Sequence, residues 1–324
     1  VEIVARLRCP FCWGPFEART LHGPLFELDG FGTLTCDCSE FPVLNGIPVL
    51  DRRHNERRLL TLMRRQRWTM ATSECLMVDV EAGSIARLFR RLLRKLGVSN
   101  RLAARVRSAP TCRDALAIAY RRSGGYHEYL RCRFSDPTFV AGQWLLHETT
   151  PGAKWILDVP AGVGHFAWVL QRRHPGARLV VADASFFHML LLKRYMLPSA
   201  VAICLDGNSR LPFNAGQFDL AVSADGWQYF DAQAQFLREL ARVTDPRGHV
   251  VVLHVHNQGT ANPTPGRPIS YAQLERWLRE IDGGWRSDIL DERAFVDRAW
   301  DPRATDSPFD YPAAPHAPVF DIWL

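Results

Sequence analysis

Apolar residues in this chain follow two rhythms. One is the short unbroken run. Trp155-Ile156-Leu157 is closed by Asp158, and Leu179-Val180-Val181-Ala182 is closed by Asp183. Runs of this length suit strands buried on both faces. Between them, Pro160-Ala161-Gly162-Val163-Gly164 gives way to Phe166, Ala167, Val169 and Leu170, apolar positions at helical spacing. The order predicted is strand, glycine-rich turn, helix, strand. The second rhythm is the helical stripe. Ile85, Leu88, Phe89, Leu92, Leu93 and Leu96 lie on one face of a helix that starts at Ser84 and stops at Gly97. Glu56 to Met70 reads as another helix, with Leu59, Leu60, Leu62 and Met63 set among arginines.

The glycine-rich turn carries the first chemistry. Glycines let a backbone approach a ligand closely, with N–H groups presented at a helix N-terminus. Asp183, at the end of the next strand, is placed to accept hydrogen bonds from both hydroxyls of a ribose. The letters Gly162-Val163-Gly164-His165-Phe166-Ala167 satisfy a dinucleotide fingerprint. Asp158 discriminates between cofactors. Its carboxylate repels a pyrophosphate but attracts the sulfonium and amino group of S-adenosylmethionine.

Asp158 to Gly164 resembles motif I of the class I S-adenosylmethionine-dependent methyltransferases, with Pro160 where the first glycine usually stands. The family's later motifs follow in order. Asp183 matches its ribose-binding acid, and Ile203-Cys204-Leu205-Asp206-Gly207 its third strand with an acid near adenine. Phe218-Asp219-Leu220-Ala221-Val222-Ser223 matches its fourth strand, and Leu240 to Val252 its helix, turn and fifth strand. Trp285–Asp291 and Val319–Leu324 supply a sixth and seventh. The resemblance covers about residues 126–324. It implies an α/β fold, a Rossmann-like domain with a seven-stranded, mostly parallel sheet. It also implies cofactor contacts from Asp158, Pro160, Gly162, Gly164, Asp183, Ala184, Asp206, Gly207 and Ser223.

Residues past the fourth and fifth strand ends are the candidates for catalysis: Asp225, Tyr229, His254 and His256. His254 and His256 flank Val255, so both face one side of a strand. A neutral imidazole can take a proton from a hydroxyl acceptor; hydrogen bonding within the loop is the plain alternative. No Asn-Pro-Pro-Tyr-type motif follows Val222, which argues against the base-N-methylating branch of the family. Asn257 to Ser270 is long and rich in Pro and Gly, as substrate lids are.

Cysteines add a second element. Cys9 and Cys12 form a Cys-x-x-Cys knuckle, and Cys36 and Cys38 follow as Cys-x-Cys. Two tight pairs can deliver four ligands to a structural zinc ion. The short second pair leaves His22 or His54 as a stand-in for one ligand, and a reduced cluster without metal is the alternative. With Leu7 to Cys12 and Phe41 to Leu50, the segment resembles the small zinc-binding domains that activate several methyltransferases. A unit this small needs such a staple. The organisation expected is a zinc-binding module (1–50), a basic helical linker or cap (51–125) and a methyltransferase domain (126–324).

Charge sharpens the picture of the middle segment. The chain carries a net +6, yet residues 51–125 alone hold 18 Lys+Arg against 6 Asp+Glu. Three partners suit an Arg-rich face: solvent, RNA phosphates, or an anionic membrane or phosphorylated substrate. Aromatic residues are sparse there, so no base-stacking platform accompanies it. The expected acceptor is a small or lipid-linked molecule in a biosynthetic reaction. RNA methylation and a non-catalytic scaffold are the alternatives, with peripheral membrane contact compatible with the first. No apolar run reaches the about 18 residues of a membrane span. No signal-peptide pattern opens the chain, so a cytoplasmic protein is expected.

Overall fold

The computed structural model describes residues 2–80, 98–120, 124–147, 152–261, 266–281, 284–299 and 307–324. The helix expected from Ser84 to Leu96 lies outside them. The chain divides into two compact units. The first comprises Val1–Arg133, Gly162–Trp168 and Val181–Asp206; the second comprises Phe134–Ala161, Val169–Val180 and Gly207–Leu324.

The first unit opens on an antiparallel sheet of β1 (Glu17–His22), β2 (Phe31–Thr35), β3 (Glu40–Leu44) and β4 (Ile47–Pro48), in that order. Asn45 and Gly46 turn the chain between β3 and β4 with φ of 53° and 73°. Two positive φ values match the twist of a two-residue hairpin, and Asn-Gly tolerates them best. A Cβ at position 46 would lie 2.4 Å from the Glu27 carbonyl oxygen, so only glycine fits. Phe41, Val43, Leu44, Ile47 and Val49 are fully buried. Phe11 stacks on Phe41 and Phe16 meets it edge-on.

Two helices follow, Glu56–Arg64 and Trp68–Val80. Asn55 caps the first by accepting the Arg58 N–H at 3.1 Å. The single helix expected over Glu56–Met70 is therefore broken. Gln66 has φ of 56°, a left-handed conformation through which a helix does not continue. Leu59, Leu60 and Met63 are buried on one side of the break, and Ala71, Cys75 and Leu76 on the other. The apolar spacing crosses the break without marking it.

The remaining strands are β5 (Trp155–Asp158), β6 (Arg178–Asp183), β7 (Val201–Cys204), β8 (Phe218–Ala224), β9 (Thr244–His256), β10 (Asp288–Asp291) and β11 (Val319–Trp323). They form a seven-stranded sheet in the order β10-β11-β9-β8-β5-β6-β7. β5 runs parallel to β8 and β8 to β9, while β11 is antiparallel to β9 and β10. This is the Rossmann-like, mostly parallel sheet expected from the sequence. The apolar runs become strand interiors: Ile156, Leu157, Ala221, Val222 and Val250 to Val252 are fully buried. Helix Gln233–Val243 buries Phe236, Leu237 and Leu240 beside β8 and β9. Chain order reverses at β5, whose neighbour β8 comes later in sequence. Ligands of such sheets bind beyond the carboxyl ends of the strands at this switch. Among the described residues, no helix is long and apolar enough to cross a membrane.

Candidate active site

In the second unit, β5 and β8 end side by side. Asp158 closes β5 and is 1% exposed. Two residues on, Pro160 packs against the loop that leaves β8. A Cβ on Gly226 would fall 2.1 Å from Pro160 Cγ, so the proline ring occupies the space a side chain would need. Ser223 is fully buried, and its hydroxyl has no hydrogen-bond partner among the described residues. Asp225 follows with φ of 54°. Tyr229 sits on the next short turn and is 55% exposed, the least enclosed of the expected catalytic residues.

The first unit holds the ribose-type acid. Asp183 Oδ2 accepts the Gly162 N–H at 2.9 Å, and Oδ1 accepts the Ser185 N–H at 2.8 Å. His188 Nδ1 lies 3.6 Å from Oδ1, and the other ring nitrogen meets the Tyr120 hydroxyl at 2.9 Å. Burial pushes the Asp183 carboxyl up, but His188 and the two N–H donors outweigh it and hold it below the usual carboxylate range. The group is thus an anion with fixed orientation. Gly162 has φ of 52°, and among the described residues beyond its chain neighbours no atom lies within 4 Å of where its Cβ would be. A glycine that presents open space beside an oriented carboxylate fits the ribose side of a nucleoside cofactor. Gly164, at φ of 94°, packs instead on Leu192. The Ala184 carbonyl accepts from Arg53 Nη2 at 2.5 Å. Asp206 follows β7 in the first unit, and Gly207 opens a segment of the second.

At the carboxyl end of β9 the two histidines lie together, with ring centroids 4.9 Å apart. His256 is 3% exposed; burial and then the neighbouring His254 lower its pKa, with Asp225 and Glu292 opposing. His254 Nδ1 lies 2.8 Å from Glu292 Oε1 and 4.0 Å from Asp225 Oδ1. The His254 N–H donates to Asp321 Oδ1 at 2.9 Å. Glu292 and Asp321 escape sequence reasoning because no motif contains them. One signal was available. Asp321 stands inside Val319-Phe320-Asp321-Ile322-Trp323, an apolar strand where an inward acid needs a reason. The long loop after Asn257 is tied at its ends, Gln258 N–H donating to Ile269 O at 3.0 Å. Residues 262–265 of it lie outside the described chain.

The four early cysteines converge. Sγ atoms of Cys9 and Cys38, Cys12 and Cys36, and Cys36 and Cys38 are 3.5–3.6 Å apart. Zinc–sulfur bonds of about 2.3 Å in a tetrahedron set sulfurs about 3.8 Å apart, so the donor set fits that ion. The Gly14 backbone N–H lowers Cys12 to about 7. Burial and the adjacent sulfurs push Cys38 up, a cost that a bound dication offsets. Neither histidine stands in for a cysteine. His22 stacks on Trp68, and His54 is enclosed by Cys75 Sγ at 3.2 Å and Cys204 Sγ at 3.6 Å.

Residues 157–252 match a family described as "Methyltransferase domain". A demethylmenaquinone methyltransferase of Thermus thermophilus is 35% identical over 102 residues, 31% of this chain and 46% of that one. Its namesake in Thermotoga maritima is 29% identical over 145 residues, 45% of this chain and 61% of that one. The chain therefore spans about half the length of these curated relatives. A TehB-like SAM-dependent methyltransferase from Corynebacterium glutamicum superposes with a TM-score of 0.44 at 16% identity, over 63% of this chain and 97% of that one. Motif order, strand order and the family match converge on a methyltransferase-type fold that includes residues 157–252.

Proposed function

We propose that the protein transfers the methyl group of S-adenosylmethionine to a small or lipid-linked acceptor. The observation that carries this reading is Asp183, held ionised beside the open Gly162 at the end of β6. Asp183 would receive the ribose hydroxyls. By the motif resemblance, Asp158 answers to the cationic amino-acid end of the cofactor and Asp206 to its adenine end. When bound, the cofactor supplies an electrophilic methyl carbon, and the protein's task is to align the acceptor with it. Relatives named for demethylmenaquinone, a lipid-soluble quinone, support a small apolar aromatic acceptor.

Some arginines of the basic segment are held by partners within the first unit. Arg53, Arg58 and Arg64 pair with Asp51, Glu74 and Glu40, and Arg52 lies 3.6 Å over the Phe11 ring. Cys9, Cys12, Cys36 and Cys38 would hold a structural zinc, since four thiolates leave no open coordination position.

Calorimetry with S-adenosylmethionine tests the proposal. Wild type is expected to bind, and Asp183→Ala to bind about 10- to 100-fold more weakly, the scale of one or two charge-assisted hydrogen bonds. No binding by wild type overturns the reading. Equal binding by the variant removes Asp183 from it.

A further inference from the structure

We propose that His254 takes the proton from a hydroxyl-bearing acceptor, and that Glu292, backed by Asp321, is the positioning residue that fixes its tautomer. This rests on the methyltransferase reading above, and it narrows the acceptor to a phenol, enol or hydroquinone. The sequence offered two histidines on one strand; the structure separates them.

The backbone singles out His254. β9 pairs with β11 through Phe320↔Val255 and Ile322↔Val252, so two β9 residues, Leu253 and His254, oppose Asp321 alone. That is a β-bulge, a device that re-aims a side chain and recurs next to active sites. His254 takes φ of 62° there. A non-glycine residue is rarely held in this region and persists there where the surroundings enforce it. Here the enforcing contact is the His254 N–H donating to Asp321 Oδ1. The bulge lies at the carboxyl end of β9, beside the end of β8, where Asp225 also has positive φ.

The charged groups around the ring set its tautomer. Among the described residues, Glu292 on the helix Glu292–Ala299 and Asp225 just after β8 face Nδ1, the His256 ring of β9 lies 4.9 Å away, and Asp321 of β11 holds the backbone N–H. Glu292 and Asp321 are each 3% exposed and interact through their side chains. Two buried carboxyls in contact do not both ionise. Burial and then Glu292 hold Asp321 well above the usual carboxylate range, so Asp321 is the carboxyl of the pair that keeps a proton. An ionised carboxylate only accepts hydrogen bonds. The nitrogen 2.8 Å from Glu292, Nδ1, therefore carries the ring proton, and Nε2 is the basic nitrogen. The His254 side chain is 23% exposed, against 3% for the whole of His256. His254 is the one placed to meet a substrate.

The step balances simply. The acceptor's O–H proton moves to His254 Nε2. The electron pair released, on oxygen or on the conjugated ring carbon, forms the bond to the methyl carbon. The carbon–sulfur bond breaks with its pair retained on sulfur. The imidazolium, stabilised by Glu292, then gives its proton to solvent.

Nitrogen-15 spectra of histidine-labelled protein test the tautomer without any acceptor. The His254 signal is identified by its loss in His254→Gln. Wild type should show Nδ1 protonated and Nε2 bare, and Glu292→Gln should mix or reverse the two. An Nε2–H tautomer in wild type, or no change in Glu292→Gln, overturns the proposal. S-adenosylmethionine calorimetry on the same samples should agree within about twofold, showing that the variants fold. If wild type binds no cofactor, the methyltransferase reading falls while the tautomer result stands by itself. Methyl transfer to reduced demethylmenaquinone is the activity probe. His254→Gln should lose about 10²- to 10⁴-fold in kcat with KM little changed. In Glu292→Gln the acidic limb of the pH profile should move to lower pH, because the imidazolium has lost its anion. Full activity of His254→Gln overturns the proposal. If wild type leaves this probe unmethylated, the quinone acceptor falls and the tautomer decides the role of His254.

Discussion

Position 226 is glycine because position 160 is proline. The family usually places a glycine where Pro160 stands, and the loop after β8 compensates. A Cβ on Gly226 would lie 2.1 Å from Pro160 Cγ and 2.6 Å from Cδ. Neither atom is the end of a flexible chain, so both loops must shift to admit it. Gly226→Ala should destabilise the protein by about 1–3 kcal/mol, the range for overpacking. Combined with Pro160→Gly it should cost less, because the clash needs both partners. A double-mutant cycle by urea denaturation reads this directly. A coupling energy of about 1–2 kcal/mol is expected; strictly additive effects would show that the two loops do not constrain each other.

Among elements, those legible in the sequence are the ones whose burial is set locally. β5, β6 and β8 are apolar runs because both faces of a parallel strand are covered, and the glycines after β5 announce their turn. Elements set by distant partners are not legible. Gln66 breaks a helix in mid-pattern, and the β9 bulge depends on β11, which lies some 65 residues later. Glu292 and Asp321 matter through that bulge, so no local spacing contains them. His54 shows the same limit: it looked like a spare zinc ligand but is closed between Cys75 on the helix Trp68–Val80 and Cys204 on β7. Burial, opposed by Asp51, lowers its pKa from 6.5 to about 4. The unfolded chain therefore binds a proton near pH 6.5 that the folded chain refuses until about 4. Its contribution is complete above that window and is lost as pH falls through it. From pH 7 to 5, wild type should lose roughly 2 kcal/mol more than His54→Asn. Denaturant titrations at both pH values measure the difference, and equal losses would show that folding leaves the His54 pKa where it is in the unfolded chain.

At the scale of the whole molecule, the expected tripartite division hides a physical connection. The cysteine cluster and the ribose-type acid belong to the same compact unit, although about 145 residues separate Cys38 from Asp183. A chain of contacts joins them. Phe11, beside Cys12, stacks on Phe41 of β3, and β3 pairs with β4. Past β4, the Leu50 N–H donates to Cys204 O at 2.8 Å, and Val49 bridges Cys204. Arg53, paired with Asp51, reaches the Ala184 carbonyl, one residue from Asp183. The metal is therefore expected to act at the cofactor without touching it. About one zinc per chain should be found, and Cys9→Ser should lose it. With zinc held by these cysteines, a chelator should remove the staple of a small sheet, because the metal's binding free energy would also be folding free energy. Disorder in β3 and β4 should loosen the Arg53 anchor, and ordering Asp183 would then be at the expense of cofactor binding. Affinity for S-adenosylmethionine should fall about 5- to 100-fold, the usual range of coupling between sites. Amide exchange should quicken in β3, β4 and the loop after β6, while β8 and β9 keep their protection. Restored zinc should restore both. Unchanged affinity in verified zinc-free protein would mean that the contacts from Cys12 to Ala184 carry no energy between the two sites.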